Sequence, residues 1–204
     1  MNILAIGSHP DDIEFGCSGT LIKYKRTGAN IFLLVLSEGS SGGSSNERKR
    51  EQMESAKIIG ANEVFWGEYE DTKIPSNKDL IDRMEYYMAK VKPDFIFANY
   101  PEDTHQDHRN LASAVISAAR HTKNLLFYEG PTSVNFNPNV FVDVSDVFDD
   151  KIRCLEAHAS QVTKTNIEGL SILDIANASA HFRGTQGRVR FAEGFHPLRL
   201  FINI

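Results

Sequence analysis

The chain has 204 residues, of which 41% are hydrophobic and 24% charged, the balance of an ordinary globular domain long enough to bury a core. Its formal net charge of -5 argues against a nucleic-acid-binding protein, which usually carries a basic excess or a basic stripe. The one dense basic run, residues 48–50, is flanked by Glu47 and Glu51 and is interpreted mainly as the solvated start of a helix. We therefore expect one domain over residues 1–204.

The cysteines and the hydropathy of the chain indicate the cellular compartment in which the protein is expected. Cys17 and Cys154 form no Cys-x-x-Cys pair and no disulfide framework, which favours a reducing compartment. The first residues include no basic leader, and their apolar run is too short for a signal peptide. No window approaches the roughly 18 apolar residues of a membrane-spanning helix. These features predict a cytoplasmic protein without a membrane partner.

Short apolar runs along the chain predict strands that are buried on both faces of a sheet. In chain order they are residues 3–6, 31–36, 63–66, 94–99, 125–128 and 140–142. Helical patterns separate them at residues 20–27, 46–59, 77–91 and 109–121, and a further helix is predicted after Ser145. The C-terminal part is interpreted as a helix followed by an extended segment from Phe191 to Ile204. This alternation predicts an α/β fold with a doubly wound, mostly parallel sheet and helices on both faces, as in Rossmann-like proteins.

A serine- and glycine-rich stretch over residues 37–45 interrupts this pattern between the second strand and the next helix. Its composition predicts a long flexible loop. Because the loop follows the carboxyl end of a strand, we expect it to act as a lid over a ligand site at that edge.

Two groups of histidine and aspartate follow the ends of predicted strands, where open α/β sheets bind their ligands. The groups are His9, Asp11 and Asp12 after the first strand, and His105, Asp107 and His108 after the fourth. Two imidazoles and one carboxylate would form a three-ligand site with an open position, which is typical of catalytic zinc. The remaining groups could then accept a proton from water, orient a ligand histidine, or stabilise an oxyanion.

The same residues resemble the two signature motifs of the LmbE/PIG-L family of zinc-dependent de-N-acetylases. His9-Pro10-Asp11-Asp12, with Glu14 and the run 16–21, is similar to the first motif, and the run 105–109 is similar to the second, usually written His-Pro-Asp-His. Supporting likenesses extend from about residue 2 to residue 196: they are Arg48-x-x-Glu51, Asp71 after Trp66-Gly67, His158-Ala159-Ser160-Gln161 and Ala192-Glu193-Gly194-Phe195. The resemblance implies one LmbE/PIG-L-like deacetylase domain over residues 1–204.

The resemblance implies that His9, Asp12 and His108 hold a zinc ion, which ferrous iron could replace in the cell. Two departures from the family pattern are visible. Gln106 stands where the second motif usually has proline, and we expect it to loosen that loop slightly. Ile13 separates Asp12 from Glu14, so that Glu14 is expected to have a structural role, or to support the site indirectly.

The resemblance also implies the catalytic roles. Asp11 would be the general base that activates water, and His105 would stabilise the tetrahedral intermediate and pass a proton to the departing amine. Asp107 would orient a histidine. Arg48 would hold a substrate hydroxyl or polarise the carbonyl, although a solvated helix face is an equally good interpretation of this arginine.

The activity that follows from the resemblance is removal of an acyl group, acetyl being expected, from the nitrogen of an N-acetylglucosamine-type sugar or glycoconjugate. Family members of this size often form trimers or hexamers. Two alternatives stay open. A non-haem iron(II) enzyme could use the same two histidines and one aspartate, although the strand–helix alternation opposes the usual barrel of such enzymes. A non-catalytic α/β ligand-binding module is disfavoured because the loop after the first strand contains neither Gly-x-Gly-x-x-Gly nor a Walker lysine.

Overall fold

A seven-stranded sheet forms the centre of the computed structural model, which describes residues 1–202. The strands are β1 Asn2–Gly7, β2 Asn30–Ser37, β3 Glu63–Tyr69, β4 Phe95–Asn99, β5 Leu125–Tyr128, β6 Val140–Asp143 and β7 Ala192–Arg199. The helices are α1 Asp12–Arg26, α2 Ser45–Ile59, α3 Lys78–Val91, α4 Gln106–Ala118, α5 Phe148–Glu156 and α6 Ile172–Gly187.

The strand order is β3-β2-β1-β4-β5-β7-β6. Strands β1 to β5 run parallel to one another, whereas β7 is antiparallel to both β5 and β6. The predicted doubly wound, mostly parallel α/β sheet is therefore confirmed. The strand order reverses between β1 and β4, so a crevice is expected at the carboxyl ends of these two strands.

The alternation of side chains along β1 divides the interior into two apolar layers. Ile3 and Ala5 pack with residues of α1, α2, α5 and α6 on one face of the sheet. Leu4 and Ile6 pack with residues of α3 and α4 on the other face. Since both faces are covered, the central strands read as continuous apolar runs in the sequence and not as alternating ones.

Two helix starts differ from the predictions in a way that matters for the site. Helix α1 begins at Asp12, although the pattern predicted residue 20, and α4 begins at Gln106, although residue 109 was predicted. Gly16 and Gly19 weaken the helical signal in the first turns of α1 because glycine has low helix propensity. Asp12, Asp107 and His108 therefore lie in the first turns of helices, and His9, Asp11 and His105 shortly precede these helices.

The predicted order at the C-terminus, a helix followed by an extended segment, is confirmed, because α6 is followed by the strand β7. That strand begins at Ala192 and ends at Arg199, within the extended segment predicted from Phe191 to Ile204, whose last two residues lie outside the described part of the chain.

Cys17 and Cys154 are buried free thiols. Within residues 1–202, no helix combines the length and the apolar character needed to cross a membrane.

A first prediction concerns the packing of α1 on β5. A Cβ added to Gly16 would lie 2.0 Å from Cδ2 of Tyr128, a fully buried residue whose hydroxyl donates to the backbone oxygen of Ile6. We expect Gly16→Ala to lower the free energy of unfolding by about 1–3 kcal/mol through overpacking, although alanine is the better helix former. Denaturant unfolding measures the change.

The matched control is Ser113→Ala, which introduces alanine at an exposed position of α4. We expect a change within about 0.5 kcal/mol, as for other surface substitutions. Equal stabilities of Gly16→Ala and the wild type would contradict the tight contact with Tyr128.

Candidate active site

The two predicted residue groups meet at the carboxyl edge of the sheet, where β1 and β4 lie side by side. These strands pair directly from Ile3 with Phe95 to Ile6 with Ala98. Asn99 fixes the junction, because its Oδ1 accepts a hydrogen bond from the backbone N–H of Ser8 at 3.2 Å. The loop after β1 is thereby held against the end of β4 at the point where the strand order reverses.

The three predicted metal ligands converge at this junction. Nδ1 of His9 lies 3.3 Å from Nε2 of His108 and 3.6 Å from Oδ2 of Asp12. Nε2 of His108 lies 3.4 Å from Oδ1 of Asp12. Tetrahedral ligands at zinc distances of about 2.0–2.1 Å would be separated from one another by about 3.3 Å. The two imidazole nitrogens are therefore spaced as a small divalent cation requires, and each lies close to one oxygen of the Asp12 carboxylate.

Both imidazoles are contacted from behind by carboxylates. Nε2 of His9 lies 3.1 Å from Oδ1 of Asp71 and 3.1 Å from Oδ2 of Asp107. Nδ1 of His108 lies 3.2 Å from Oδ2 of Asp103. A carboxylate at one ring nitrogen favours the proton there and leaves the other nitrogen with a free lone pair. The contacts thus favour the tautomers in which the converging nitrogens can bind a metal.

The carboxylates are themselves fixed by backbone donors. Oδ2 of Asp12 accepts hydrogen bonds from the backbone N–H groups of Ser8 and His9, both at 3.0 Å. Asp107 is fully buried and accepts from the backbone N–H of Thr72 at 2.9 Å and of Ile74 at 3.3 Å. The site is therefore preorganised by the protein, which limits the cost of ordering it around a ligand.

The electrostatics favour a cation. Burial alone would lower the pKa of His108, but Asp12 and Asp103 outweigh it and raise that pKa to about 9. Burial likewise opposes ionisation of Asp12, yet the His108 and His9 imidazoles hold the pKa of this carboxyl well below its usual range. Asp12, Asp71, Asp103 and Asp107 together outnumber the two imidazoles. A divalent cation would neutralise this surplus of negative charge.

Asp11 differs sharply from its neighbour Asp12. Its backbone is left-handed, with φ 96°, and although it is the N-cap residue of α1 its side chain makes no capping hydrogen bond. The carboxylate instead lines the cavity beside the site, with Oδ2 3.0 Å from Nη2 of Arg48. Burial raises the pKa of Asp11 to about 6, although Arg48 opposes the rise. A carboxyl group with a pKa near neutrality is suited to accept a proton.

Arg48 is buried, so the solvated-face interpretation of this residue is wrong. Its Nη1 donates to the backbone oxygen of Gly39 at 3.1 Å, and its Nη2 donates to the backbone oxygen of Pro10 and to Asp11. The guanidinium group therefore connects the loop after β1 with the loop after β2. Arg48 also lines the cavity, and its contact with a substrate stays a prediction.

The serine- and glycine-rich segment was predicted to be a flexible lid, but it is fastened to the protein at several points. The backbone N–H of Ser41 donates to Oδ2 of Asp71 at 2.7 Å. The backbone oxygen of Gly42 accepts from Nε2 of Gln161 at 3.2 Å and from Nζ of Lys164. A short 3-10 helix, Ser40–Gly42, forms between these contacts. The segment is thus a wall of the cavity.

His105 lies at the N-terminus of α4, half-buried, with its ring centroid 4.7 Å from those of His9 and His108. Its Nδ1 accepts a hydrogen bond from the backbone N–H of Asp107 at 3.2 Å, which leaves the proton on Nε2. Burial, followed by the charges of His9 and His108, lowers the pKa of His105. At neutral pH this residue is therefore a neutral hydrogen-bond donor.

Gln106 does not loosen its loop, contrary to expectation. Its Nε2 donates to the backbone oxygen of Thr72 at 3.1 Å, so it ties the start of α4 to the loop after β3. Glu14 is structural, as expected, because its buried Oε1 accepts from Gln52 at 2.6 Å and from Ser55 at 2.8 Å.

Sequence reasoning missed Asp103 and gave Asp71 no specific role. Asp103 closes the contact behind His108, and its Oδ1 accepts from the backbone N–H of His105 at 2.8 Å. The strand-end rule that found His105 also covers Asp103, which follows the same strand. Asp71 follows β3, a neighbouring strand, so the same signal was available for it.

A cavity of about 710 Å³ opens beside these residues. Of the predicted site residues it is lined by His9, Asp11, Asp12, Arg48, His105 and His108. Its volume is within the range of sites for drug-sized ligands. Asp107, by contrast, lies behind His9 and does not line the cavity.

A doubly wound α/β sheet with a preorganised two-histidine, one-aspartate cluster at its switch point defines a candidate mononuclear metal enzyme. The chain belongs to the PIG-L family, whose model, described as GlcNAc-PI de-N-acetylase, matches residues 4–119. The Escherichia coli K12 protein "Uncharacterized deacetylase YaiS" is 32% identical over 167 residues, which is 78% of this chain and 90% of that protein.

Two further deacetylases and one enzyme of another type are similar. Diacetylchitobiose deacetylase of Thermococcus kodakarensis is 28% identical over 78% of this chain and 69% of its own length. The solved N,N'-diacetylchitobiose deacetylase of Pyrococcus horikoshii, complexed with its inhibitor, covers 97% of this chain and 83% of its own with a TM-score of 0.87, and at 24% identity it shows the fold. The 4-oxalmesaconate hydratase of Pseudomonas putida is 21% identical over 78% of this chain and 73% of its own length.

A second prediction tests the support behind His108. Asp103→Asn keeps the size of the side chain but removes the charge that faces Nδ1 of His108. We expect the affinity for zinc to fall about 10–100-fold, as for other residues that orient metal ligands. Competition with a chromophoric chelator measures the affinity.

Glu102→Gln is the matched control, because it removes the same charge from the neighbouring, exposed position of the loop. Equal zinc affinities for the two variants would show that the contact with His108 does not support metal binding.

Proposed function

We propose that this protein is a zinc-dependent hydrolase that removes an acyl group, acetyl in the simplest case, from the nitrogen of an N-acetylglucosamine-type sugar or glycoconjugate. The observation that carries the proposal is the convergence of His9, Asp12 and His108 beside a cavity that Asp11 and His105 also line. Membership of a deacetylase family and the amino-sugar deacetylases among the relatives support the choice of substrate.

In this proposal His9, Asp12 and His108 hold the metal. When bound, zinc would supply a Lewis acid for the amide carbonyl and would lower the pKa of water. Two imidazoles and one carboxylate also suit ferrous iron, so the donor set alone leaves both ions open. We favour zinc because amide hydrolysis requires no change of oxidation state.

Asp11 would accept the proton of the attacking water. Its left-handed backbone keeps the carboxylate away from the helix N-terminus and at the cavity wall. Arg48 occupies one carboxylate oxygen, Oδ2, so that Oδ1 is the proton acceptor. The same proton can then return to the departing nitrogen, which leaves as an amine while the acyl group leaves as a carboxylic acid.

His105 would stabilise the oxygen of the tetrahedral intermediate. Its Nδ1 is occupied by the backbone of Asp107, so Nε2 carries the proton and can donate a hydrogen bond. A neutral donor held at a fixed helix start needs little reorganisation as negative charge develops. This role agrees with the lowered pKa of His105, which disfavours a permanently charged ring.

A third prediction tests Asp11. Amine release from a panel of N-acetylglucosamine derivatives is measured with metal-quantified wild type and Asp11→Asn. We expect the variant to keep one zinc ion per chain and to lose about 10²–10⁴-fold in kcat, because the proton acceptor is absent. Asp149→Asn, the same change at an exposed position of α5, is expected to retain full activity.

Retained turnover in Asp11→Asn would remove the general-base role. No amine release by the zinc-bound wild type from any compound of the panel would remove the amino-sugar assignment. Amine release by an iron-bound but not by a zinc-bound preparation would replace zinc with iron in the proposal.

A fourth prediction concerns His105. We expect His105→Gln to keep the zinc and to lower kcat about 10²–10³-fold with little change in KM, because the donor acts on charge that develops in the transition state. A rise of KM without a fall of kcat would instead indicate a contact with the bound substrate.

A further inference from the structure

The cavity of the site has a second, apolar wall that the proposed reaction does not use. Besides the reacting groups, side chains of α1, α5, α6 and the segment 157–171 between the last two helices line it. The apolar members are Phe15, Leu155, Ile167, Leu170, Ile172 and Ile175.

Part of this wall is explained by packing. Phe15 and Leu155 are buried and form a small apolar cluster with Ala176, separate from the two large clusters on the faces of the sheet. Ile172 and Ile175 of α6 pack against this cluster and remain partly exposed. Docking of α6 onto α1 and α5 therefore accounts for these four side chains.

Packing does not account for Ile167 and Leu170. Neither belongs to any of the three apolar clusters of the described residues, and Ile167 is 57% exposed. Both nevertheless line the cavity. An apolar group bound in the cavity would remove both side chains from water, which would favour its binding.

Hydrogen bonds fix the backbone of the turn that carries Ile167 and Leu170. The hydroxyl of Thr165 donates to the backbone oxygen of Leu170 at 2.6 Å and lies 3.2 Å from that of Ile167. The backbone N–H of Leu170 donates to the oxygen of Ile167 at 3.2 Å, and Gly169 between them adopts φ 74°. The apolar side chains are thus held at the cavity by local hydrogen bonds.

Two polar side chains of the same segment, Gln161 and Lys164, also line the cavity but are bonded to its wall. Nε2 of Gln161 and Nζ of Lys164 both donate to the backbone oxygen of Gly42 in the cavity wall. These contacts fasten the segment over the cavity and pair the ammonium group of Lys164 with a backbone oxygen. The side chains of Ile167 and Leu170 offer no hydrogen-bonding group, so this part of the wall suits an uncharged, apolar group.

We propose that this wall is a subsite for an apolar alkyl or aryl group carried by the substrate. The inference rests on the proposed function and narrows its substrate class to N-acyl amino sugars with an apolar substituent of several carbons. The substituent could be a long acyl chain on the nitrogen or an apolar aglycone on the sugar. Both present the same chemistry to Ile167 and Leu170, and two series of compounds distinguish them.

The experiment compares kcat/KM of the zinc-bound wild type along each series. One series lengthens the acyl group of N-acylglucosamine from acetyl to hexanoyl, and the other lengthens the alkyl group of N-acetylglucosaminides from methyl to hexyl. Complete burial of a methylene group would raise kcat/KM about fourfold. We expect a rise of at least about tenfold from the shortest to the longest member of one series, which identifies the position of the substituent.

The double variant Ile167→Ser/Leu170→Ser tests the assignment of the subsite. Because neither residue belongs to an apolar cluster, the fold should be retained, which the melting temperature checks. We expect the ratio of kcat/KM between longest and shortest compound to fall to within about threefold of unity. Tyr86→Ser, which removes a 61% exposed aromatic residue from α3, should leave the wild-type ratio in place.

Calorimetric binding of methyl and hexyl glucosaminides, which contain no amide, separates the failure of this inference from the failure of the proposed function. Tighter binding of the hexyl compound by the wild type, lost in the double variant, would support the subsite even if no compound released amine. Ratios near unity in both kinetic series and in binding would overturn the inference while leaving deacetylation intact. An unchanged chain-length dependence in the double variant would overturn it as well.

Discussion

The direct pairing of β1 with β4 is the constraint on which the site depends. The chain leaves β1 toward β2 and returns to the other side of β1 only at β4, so residues about a hundred positions apart end on neighbouring strands. A short loop connects each strand end to the N-terminus of a helix, α1 after β1 and α4 after β4. The nearest ring nitrogens of His9 and His108 lie 3.3 Å apart because the three crossovers between β1 and β4 bring these two strand ends together.

Buried carboxylates determine which ring nitrogens of His9 and His108 are available to a metal ion. Asp71 and Asp107 contact the far nitrogen of His9, and Asp103 contacts that of His108, so the near nitrogens are available to an ion. Four carboxylates in one buried cluster would repel one another without compensating charge. A bound cation would relieve this repulsion. The backbone N–H groups that donate to Asp12 and Asp107 hold these carboxylates in place, so they do not move apart.

The fold was largely accessible to sequence reasoning because the central strands are covered on both faces and read as uninterrupted apolar runs. The ends of elements were less accessible. Gly16 made the first turns of α1 hard to predict, because glycine has a low helix propensity. In the structure this glycine does not break the helix; it is needed because a side chain there would clash with Tyr128. The antiparallel β7 had no clear pattern, because its residues from His196 to Arg199 are only partly buried or exposed.

Within the site, the sequence motifs pointed to the groups that converge, but not to what surrounds them. The contact of Asp103 with His108 and the fastening of the loop at Gly42 depend on distances between segments, which no spacing along the chain reveals. Arg48 illustrates the limit well. A basic run flanked by acids is typical of a solvated helix start, yet this arginine is buried because three acceptors from two loops surround it.

The segment between α5 and α6 has a consequence for how this protein can diversify. The residues proposed to bind the metal and carry out the reaction all fall within residues 4–119, the part that matches the family model. Apart from Phe15, the apolar wall comes from beyond that part and reaches the cavity through contacts at Gly42. The residues proposed for the reaction and those proposed to select the substrate therefore lie in separate stretches of one chain. We expect exchange of the surface turn that carries Ile167 and Leu170 to change which substrates are accepted while leaving the proposed catalytic residues in place.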